Sequence, residues 1–368
     1  MANKSVFYTI RKNKKKTLLG AAAFIYALNY GSQRYREYLI RRSFFLEAKL
    51  YGEEKCQPLD KPKRFYVILN PTAGNSKCKK LFQKNAAPIF HLAGMDVTYI
   101  QTSYEGHAKT LMNYFDPSVD GIIVAGGDGS LLEVITGMLR QPLKTKISQI
   151  PVGFIPLGSR SNYIHKKLFG FDEIHVRSIC KAAMAIVKGD TTKVSVMEIK
   201  ADTKPVYAFS SIHLGVYKEM KEQIDKGRFW LLGPLKKYFT FLWRTTKDWP
   251  PEFSFGLETD GVAVTTELSN LSLYLEDNND NASLLVQKTP TIFSKSDFIK
   301  YGWSWLKNDF AFVENEKSEV FHVSKISINP SEDQRLSYDI DGEIFDGRPT
   351  DIAVHSERVN MFCNNSLC

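Results

Sequence analysis

Residues Asp120-Gly-Ile-Ile-Val-Ala125 form a short apolar run that breaks directly into Gly126-Gly-Asp-Gly-Ser130. An uninterrupted apolar run bounded by glycine reads as a strand buried on both faces. An apolar stretch at 131–139 follows without a linker and reads as a helix. Consecutive glycines at such a junction let the backbone turn sharply and expose its N–H groups, and the helix N-terminus adds positive dipole character. The product is an anion site suited to phosphate. A strand-to-helix junction of this kind calls for parallel strands with helices on both faces, and for a ligand crevice at the carboxyl ends of those strands.

The same alternation recurs along the chain. Residues 65–69 (Phe-Tyr-Val-Ile-Leu), 95–101 and 151–155 read as further strands, and 77–92, 105–114 and 177–188 as helices. The fold class predicted for 64–192 is an α/β nucleotide-binding domain on a parallel sheet. Near Lys193 the texture changes to short alternating runs at 194–199, 206–212, 253–257, 271–275, 284–286, 320–328, 336–340 and 352–355. These predict a mostly antiparallel, sandwich-like β domain over 193–368. Two aromatic-rich helical stretches, 229–243 and 298–306, interrupt it.

Charge separates a third region. The formal net charge is +9, yet residues 1–46 hold ten basic residues and one acid, leaving 39 of each sign in the rest. The body is therefore no basic nucleic-acid binder, and the asymmetry points to a membrane surface or an address. Lys16 and Arg34 bracket an uncharged stretch, 17–33, that would reach only about 26 Å as a helix, short of a bilayer core. No acid precedes Glu37, which suits a mitochondrial address better than a secretory signal. Residues 1–46 are read as a membrane-attachment and targeting segment, and 47–63, with Pro58 and Pro62, as a linker. Five cysteines without a CxxC pair make neither a disulfide framework nor a zinc site, and read as reduced thiols.

Several positions could carry chemistry. Asp128 sits inside the phosphate loop, where a carboxylate serves either as a Mg²⁺ ligand or as a helix cap. Ser130 and Glu133 have the spacing of a capping box. Asn70-Pro-Thr72 with Gly74, and Pro156-Leu-Gly-Ser159, follow strands and would face the same crevice. Asp339-Ile-Asp341-Gly-Glu343 gathers carboxylates around a glycine turn, read either as a metal or general-base site, with Asp341 as a second metal ligand, or as an exposed acidic hairpin. There is no GxxxxGK[ST], no GxGxxG and no paired H-R-D and D-F-G, which excludes P-loop NTPases, classical dinucleotide folds and protein kinases.

GGDG followed by Ser or Thr is shared by phosphofructokinases, NAD kinases and the diacylglycerol/sphingosine lipid kinases. The T-I-D-N-D segment of the first and the N-E-x motif of the second are missing. Over most of residues 64–360 the chain resembles the lipid kinase family, through Asn70-Pro71 with Gly74, Thr102, GGDGS with Glu133, Pro156-Leu-Gly158 and Asp341-Gly-Glu343. Within it, Lys84-Asn-Ala-Ala-Pro-Ile89, Gly94-Met-Asp-Val-Thr98, Tyr104-Glu-Gly-His-Ala-Lys109 and Gly153-Phe-Ile-Pro-Leu-Gly158 are similar to the acylglycerol kinase branch.

The resemblance implies ATP and Mg²⁺, with monoacylglycerol and diacylglycerol as acceptors and lysophosphatidic and phosphatidic acid as products. It implies nucleotide contacts at Asn70, Thr72, Thr102, Gly127, Asp128, Gly129, Ser130, Glu133 and Ser159, and makes Glu343 the general base. It implies residence at the mitochondrial inner membrane or intermembrane space. It also carries a non-enzymatic alternative, a structural subunit of an inner-membrane carrier-translocase import complex. One departure stands out: relatives read G-T-G-N-D where this chain has Gly158-Ser-Arg-Ser-Asn162, so Arg160 and Ser161 replace a glycine and an asparagine. The aromatic residues at 229–243 are either core or the lining of an acyl slot.

Overall fold

The computed structural model describes residues 14–55, 61–141, 146–158, 163–170, 175–201, 204–225, 230–245, 253–259, 262–278, 281–290, 295–307, 318–330 and 337–364. Strands β1 (Arg64–Leu69), β2 (Asp96–Gln101), β3 (Gly121–Gly126), β4 (Val152–Pro156) and β5 (Thr191–Val194) build the first sheet. Its order is β2-β1-β3-β4, then the C-terminal strand Val359–Phe362, then β5. All pairs are parallel except the last. Every residue of β3 and β4 is buried, as their unbroken apolar sequences require of central strands.

Helices cover both faces. Cys78–Asn85, Ala87–Leu92 and His175–Lys188 pack together on one of them. The expected helix over 77–92 is broken at Ala86, because Pro88 in the first turn of the second piece cannot supply an N–H to the helix before it. The helix Asp128–Leu139 divides its apolar side chains between two cores. Leu131, Val134 and Ile135 join the core of the first sheet, while Leu132 joins that of the second. The helix that begins at the glycine loop is thus held by both halves of the molecule.

The second sheet has eleven antiparallel strands and is curled around its own core of Leu214, Leu271, Leu273, Leu284, Val286, Ile326, Ile328 and Ile352. Two boundaries differ from the sequence reading. The run at 194–199 is two strands, β5 in the first sheet and Met197–Lys200 in the second, with the crossing at Ser195 and Val196. The chain then returns, since Val359–Phe362 inserts between β4 and β5. Residues 193–368 therefore serve both sheets.

The N-terminal reading is also revised. A single helix, Lys14–Lys55, runs through the boundary drawn at 46 and into the expected linker. Exposed side chains such as Leu19, Phe24, Ile25, Tyr26 and Leu28 mark its first half, whereas Ile40 and Ala48 are buried against the body. Among the described residues no helix is long and apolar enough to cross a membrane. Cys78 and Cys180 are free, buried thiols, each pushed up to about 12 by burial. Cys363 is disulfide-bonded, which corrects the reading of all five cysteines as thiols.

Candidate active site

The site is assembled where β1, β3 and β4 end. Gly127 is the extended residue that caps Asp128–Leu139. The Gly126 carbonyl accepts from the N–H groups of Leu157 at 2.8 Å and Gly158 at 3.0 Å, which draws the loop after β4 onto the glycine turn. Asn70 N–H donates to the Ala125 carbonyl at 3.1 Å. Its side chain works in two directions. Nδ2 donates to Ser130 Oγ at 2.9 Å, while Oδ1 accepts from Thr72 N–H at 3.1 Å and Thr72 Oγ1 at 2.8 Å. Buried Thr102 is tied to the end of β1 by its N–H, 3.0 Å from the Leu69 carbonyl. The structure thus brings Asn70, Thr72, Gly127, Asp128, Gly129 and Ser130 together. Ser159, with Arg160 and Ser161, lies outside the described residues.

The capping-box reading of Ser130 and Glu133 does not hold. The cap is Gly127, which has no side chain, and Ser130 is engaged by Asn70. Glu133 instead reaches a neighbouring segment, accepting from Gly106 N–H at 2.9 Å and Ala108 N–H at 3.2 Å. A carboxylate on two free amides at the start of the helix His107–Leu111 satisfies donors that the helix itself leaves open.

Opposite the glycines stands the hairpin Ser337–Ile340 and Glu343–Asp346 of the second sheet. Its two-residue turn has φ of 48° at Asp341 and 91° at Gly342, left-handed values that suit a tight hairpin matched to strand twist. Asp341 locks the turn in place. Its Oδ2 accepts from Phe209 N–H at 2.6 Å, and Oδ1 from the N–H groups of Ser210 and Ser211, each at 2.9 Å. Burial pushes the Asp341 carboxyl above its usual range, against the pull of those three donors.

Glu343 leaves that turn and lies on Gly129. A Cβ at Gly129 would fall 1.6 Å from Glu343 Oε1 and 2.5 Å from its Cδ, so this approach exists only because residue 129 has no side chain. Burial raises the Glu343 carboxyl from 4.5 to about 7, helped by the negative charges of Glu133, Glu105 and Asp341 and opposed by Lys109. Glu343 is not part of an exposed acidic hairpin; it is partly buried at the seam between the two halves. Glu105 and Lys109 were not singled out from the sequence, although the segment 104–109 that carries them drew notice.

The fit to a divalent cation can be judged from the donors. Asp128 opens the helix directly after the glycine turn. Among the described residues no group of three His, Cys, Asp or Glu is placed to hold a metal. Mg²⁺ on a nucleotide commonly takes only one or two protein carboxylates, the phosphates and water completing its shell, so a lone Asp128 fits that use. Asp341, the second expected ligand, has both carboxylate oxygens committed to backbone donors.

The pairing of a mostly parallel sheet with an antiparallel one has a counterpart among solved structures. The crystal structure of a putative diacylglycerol kinase from Bacillus anthracis str. Sterne matches with a TM-score of 0.60 at 19% identity, covering 83% of this chain and 98% of that one, which establishes a common fold. The diacylglycerol kinase catalytic domain matches residues 64–199. The chain is a lipid kinase. "Acylglycerol kinase, mitochondrial" of Homo sapiens is 31% identical over 411 positions, spanning 97% of this chain and 96% of its own length. Its Mus musculus counterpart is 30% identical over 410 positions, with the same coverage. The chain belongs to the acylglycerol kinase family.

Proposed function

We propose that this lipid kinase transfers the γ-phosphoryl group of ATP to a glycerol hydroxyl of monoacylglycerol or diacylglycerol, giving lysophosphatidic or phosphatidic acid. The observation that carries the reading is the seating of Glu343, raised to about 7, on Gly129 of the phosphate loop. A base poised near the working pH is half-ionised when needed and strong enough to accept a hydroxyl proton. The N–H groups of the 127–130 loop would cradle the phosphates, with Asn70 and Thr72 holding the loop's shape and Glu133 anchoring the flanking segment. The acceptor oxygen attacks the γ-phosphorus, its proton passes to Glu343, and the bond to the β–γ bridging oxygen breaks to release ADP. Mg²⁺, held by Asp128 and the nucleotide, would supply charge neutralisation on the phosphates. Asp341 then acts by fixing the turn from which Glu343 projects.

The helical layer at 230–245 and 295–307 supports a place for the acyl chain or the bilayer surface. Phe241 is buried with Phe298 in its core, while Leu232, Leu235, Phe239, Leu242 and Trp303 remain exposed. The names of the relatives and the acid-free basic N-terminus support a mitochondrial membrane location. The largely unpacked first half of Lys14–Lys55 also suits attachment to a neighbouring import-complex subunit, a role that needs no catalysis.

The test is labelled-ATP transfer onto a lipid panel by the purified protein and by Glu343→Gln. The variant should lose kcat by about 10²- to 10⁴-fold with ATP affinity retained. An elevated ATP KM at unchanged kcat would make Glu343 a binding residue and defeat the reading. Membrane attachment and complex assembly, measured on the same variant, should be unaffected.

A further inference from the structure

One carboxylate away from the glycine loop joins both crossings between the sheets. Asp277 lies near the end of the strand Val262–Asn278, with its side chain 7% exposed. Its Oδ2 accepts from Lys167 Nζ at 3.0 Å and from Ser195 N–H at 3.2 Å. Its Oδ1 accepts from Ser195 Oγ at 3.0 Å and lies 3.9 Å from the Arg358 guanidinium.

These partners share a location. Ser195 is in the outbound crossing between the sheets, after β5 and before Met197–Lys200. Arg358 is in the return crossing, just before Val359–Phe362. Lys167 belongs to the helix Tyr163–Phe169, the first described element after the Pro156-Leu-Gly158 loop. From Asp277 the strand leads back to Leu275, whose N–H donates to the Ser210 carbonyl at 3.0 Å. Ser210 N–H in turn donates to Asp341 at 2.9 Å, and Asp341 opens the turn that bears Glu343. Asp277 and Glu343 are thus connected through strand backbone and two hydrogen bonds, Leu275 to Ser210 and Ser210 to Asp341.

We propose that Asp277 is a positioning residue for phosphoryl transfer: its clasp on Ser195, Lys167 and Arg358 sets the angle between the two sheets, and so the seating of Glu343 on Gly129. The proposal rests on the reading of Glu343 as the base. Bonds between an ionised carboxylate and a cation are shorter and stronger than neutral ones, and a buried one holds its partners to a narrow range of positions. Burial works against ionisation of Asp277, but the Lys167 ammonium and the Ser195 donors outweigh it and hold the carboxyl below its usual range.

Two variants of the full chain test this. Asp277→Asn keeps the shape and removes the charge. Lys167→Met removes the cation from a partly exposed position, and serves if Asp277→Asn does not fold. In each, kcat on detergent-dispersed diacylglycerol should fall about 10- to 100-fold, the scale of a misplacement near 1 Å. The ATP KM should stay within about threefold, because the loops proposed to hold the nucleotide follow strands of the first sheet. Amide hydrogen exchange of peptides covering 127–133 and 341–343 should quicken in both. A lowered melting temperature with kcat, KM and exchange unchanged would make the clasp merely structural and overturn the proposal; so would a raised KM at unchanged kcat. Glu343→Gln is measured alongside. If it keeps its turnover, the base reading fails, and the exchange data alone decide the clasp. If it is inactive while both clasp variants behave as wild type, only the clasp is refuted.

Discussion

Replacing Gly129 with alanine should disable this kinase while stabilising its fold. The added methyl would lie 1.6 Å from Glu343 Oε1 and 2.5 Å from Cδ, closer than real Cβ atoms come, and 3.1 Å from Cγ, a tight contact. All three atoms belong to one side chain that can rotate, so Glu343 swings out and the backbone stays. Loss of the proposed general base should lower kcat by about 10²- to 10⁴-fold. The Glu343 carboxyl, raised to about 7 in the wild type, should return toward its ordinary 4.5. The linkage has a definite sign. A raised acid costs the folded state nothing below pH 4.5 and its full penalty above about 7. That penalty is on the order of 2–3 kcal/mol after discounting for partial exposure, and the variant escapes it. Alanine in place of glycine in the first turn of the helix adds a fraction of the roughly 1 kcal/mol found in helix interiors. Gly129→Ala should therefore melt higher than wild type at pH 8, with a smaller gap at pH 4. Calorimetry across pH, with labelled-ATP transfer on the same preparation, checks both halves. Turnover within about threefold of wild type would refute the reasoning, because it would mean that the base is dispensable.

Asp128→Asn should retain its fold and lose kcat by about 10²- to 10³-fold in the same transfer assay, the scale of removing one preorganised electrostatic group. Glu133→Gln removes a negative charge near Glu343, so the acidic limb of the kcat–pH profile, expected near 7 in the wild type, should move to lower pH. Deleting residues 1–33 should abolish sedimentation with anionic vesicles and leave thermal stability unchanged. Deleting 1–55 should also destabilise the body, because Ile40 and Ala48 are lost from its core, at roughly 1.5–3 kcal/mol for a fully buried aliphatic side chain such as Ile40.

The alternation of strand and helix over 64–192 was legible because parallel central strands must be apolar on both faces, and β3 and β4 are. The glycine turn was legible because consecutive glycines between an apolar run and a helix start mark a sharp strand-to-helix junction. Less of the terminal helix could be read. Asn29, Gly31, Ser32 and Gln33 weaken the far end of its apolar stretch, yet the helix continues to Lys55, supported toward its end by packing that local composition does not reveal. The split at Ser195 was hidden for a similar reason. A strand that leaves one sheet and a strand that enters another have the same alternating pattern when only two residues separate them.

By itself the sequence determined which residue types were available for phosphoryl transfer, and it placed Asp128 in the glycine loop and Glu343 beside a tight turn. It could not determine that Glu343 lies on Gly129, 214 positions away along the chain. That contact depends on both sheet crossings, on the Asp341 anchor and on the shared helix Asp128–Leu139, none of which has a local signal. Tertiary structure also decided the working character of the carboxylates. Asp341, Glu133 and Glu343 are alike as sequence, but burial and neighbours make the first a turn anchor and the second a brace for amides. The same physics leaves the third with a proton affinity near neutrality, since a charge loses its hydration on burial and only the surrounding donors and charges can replace it.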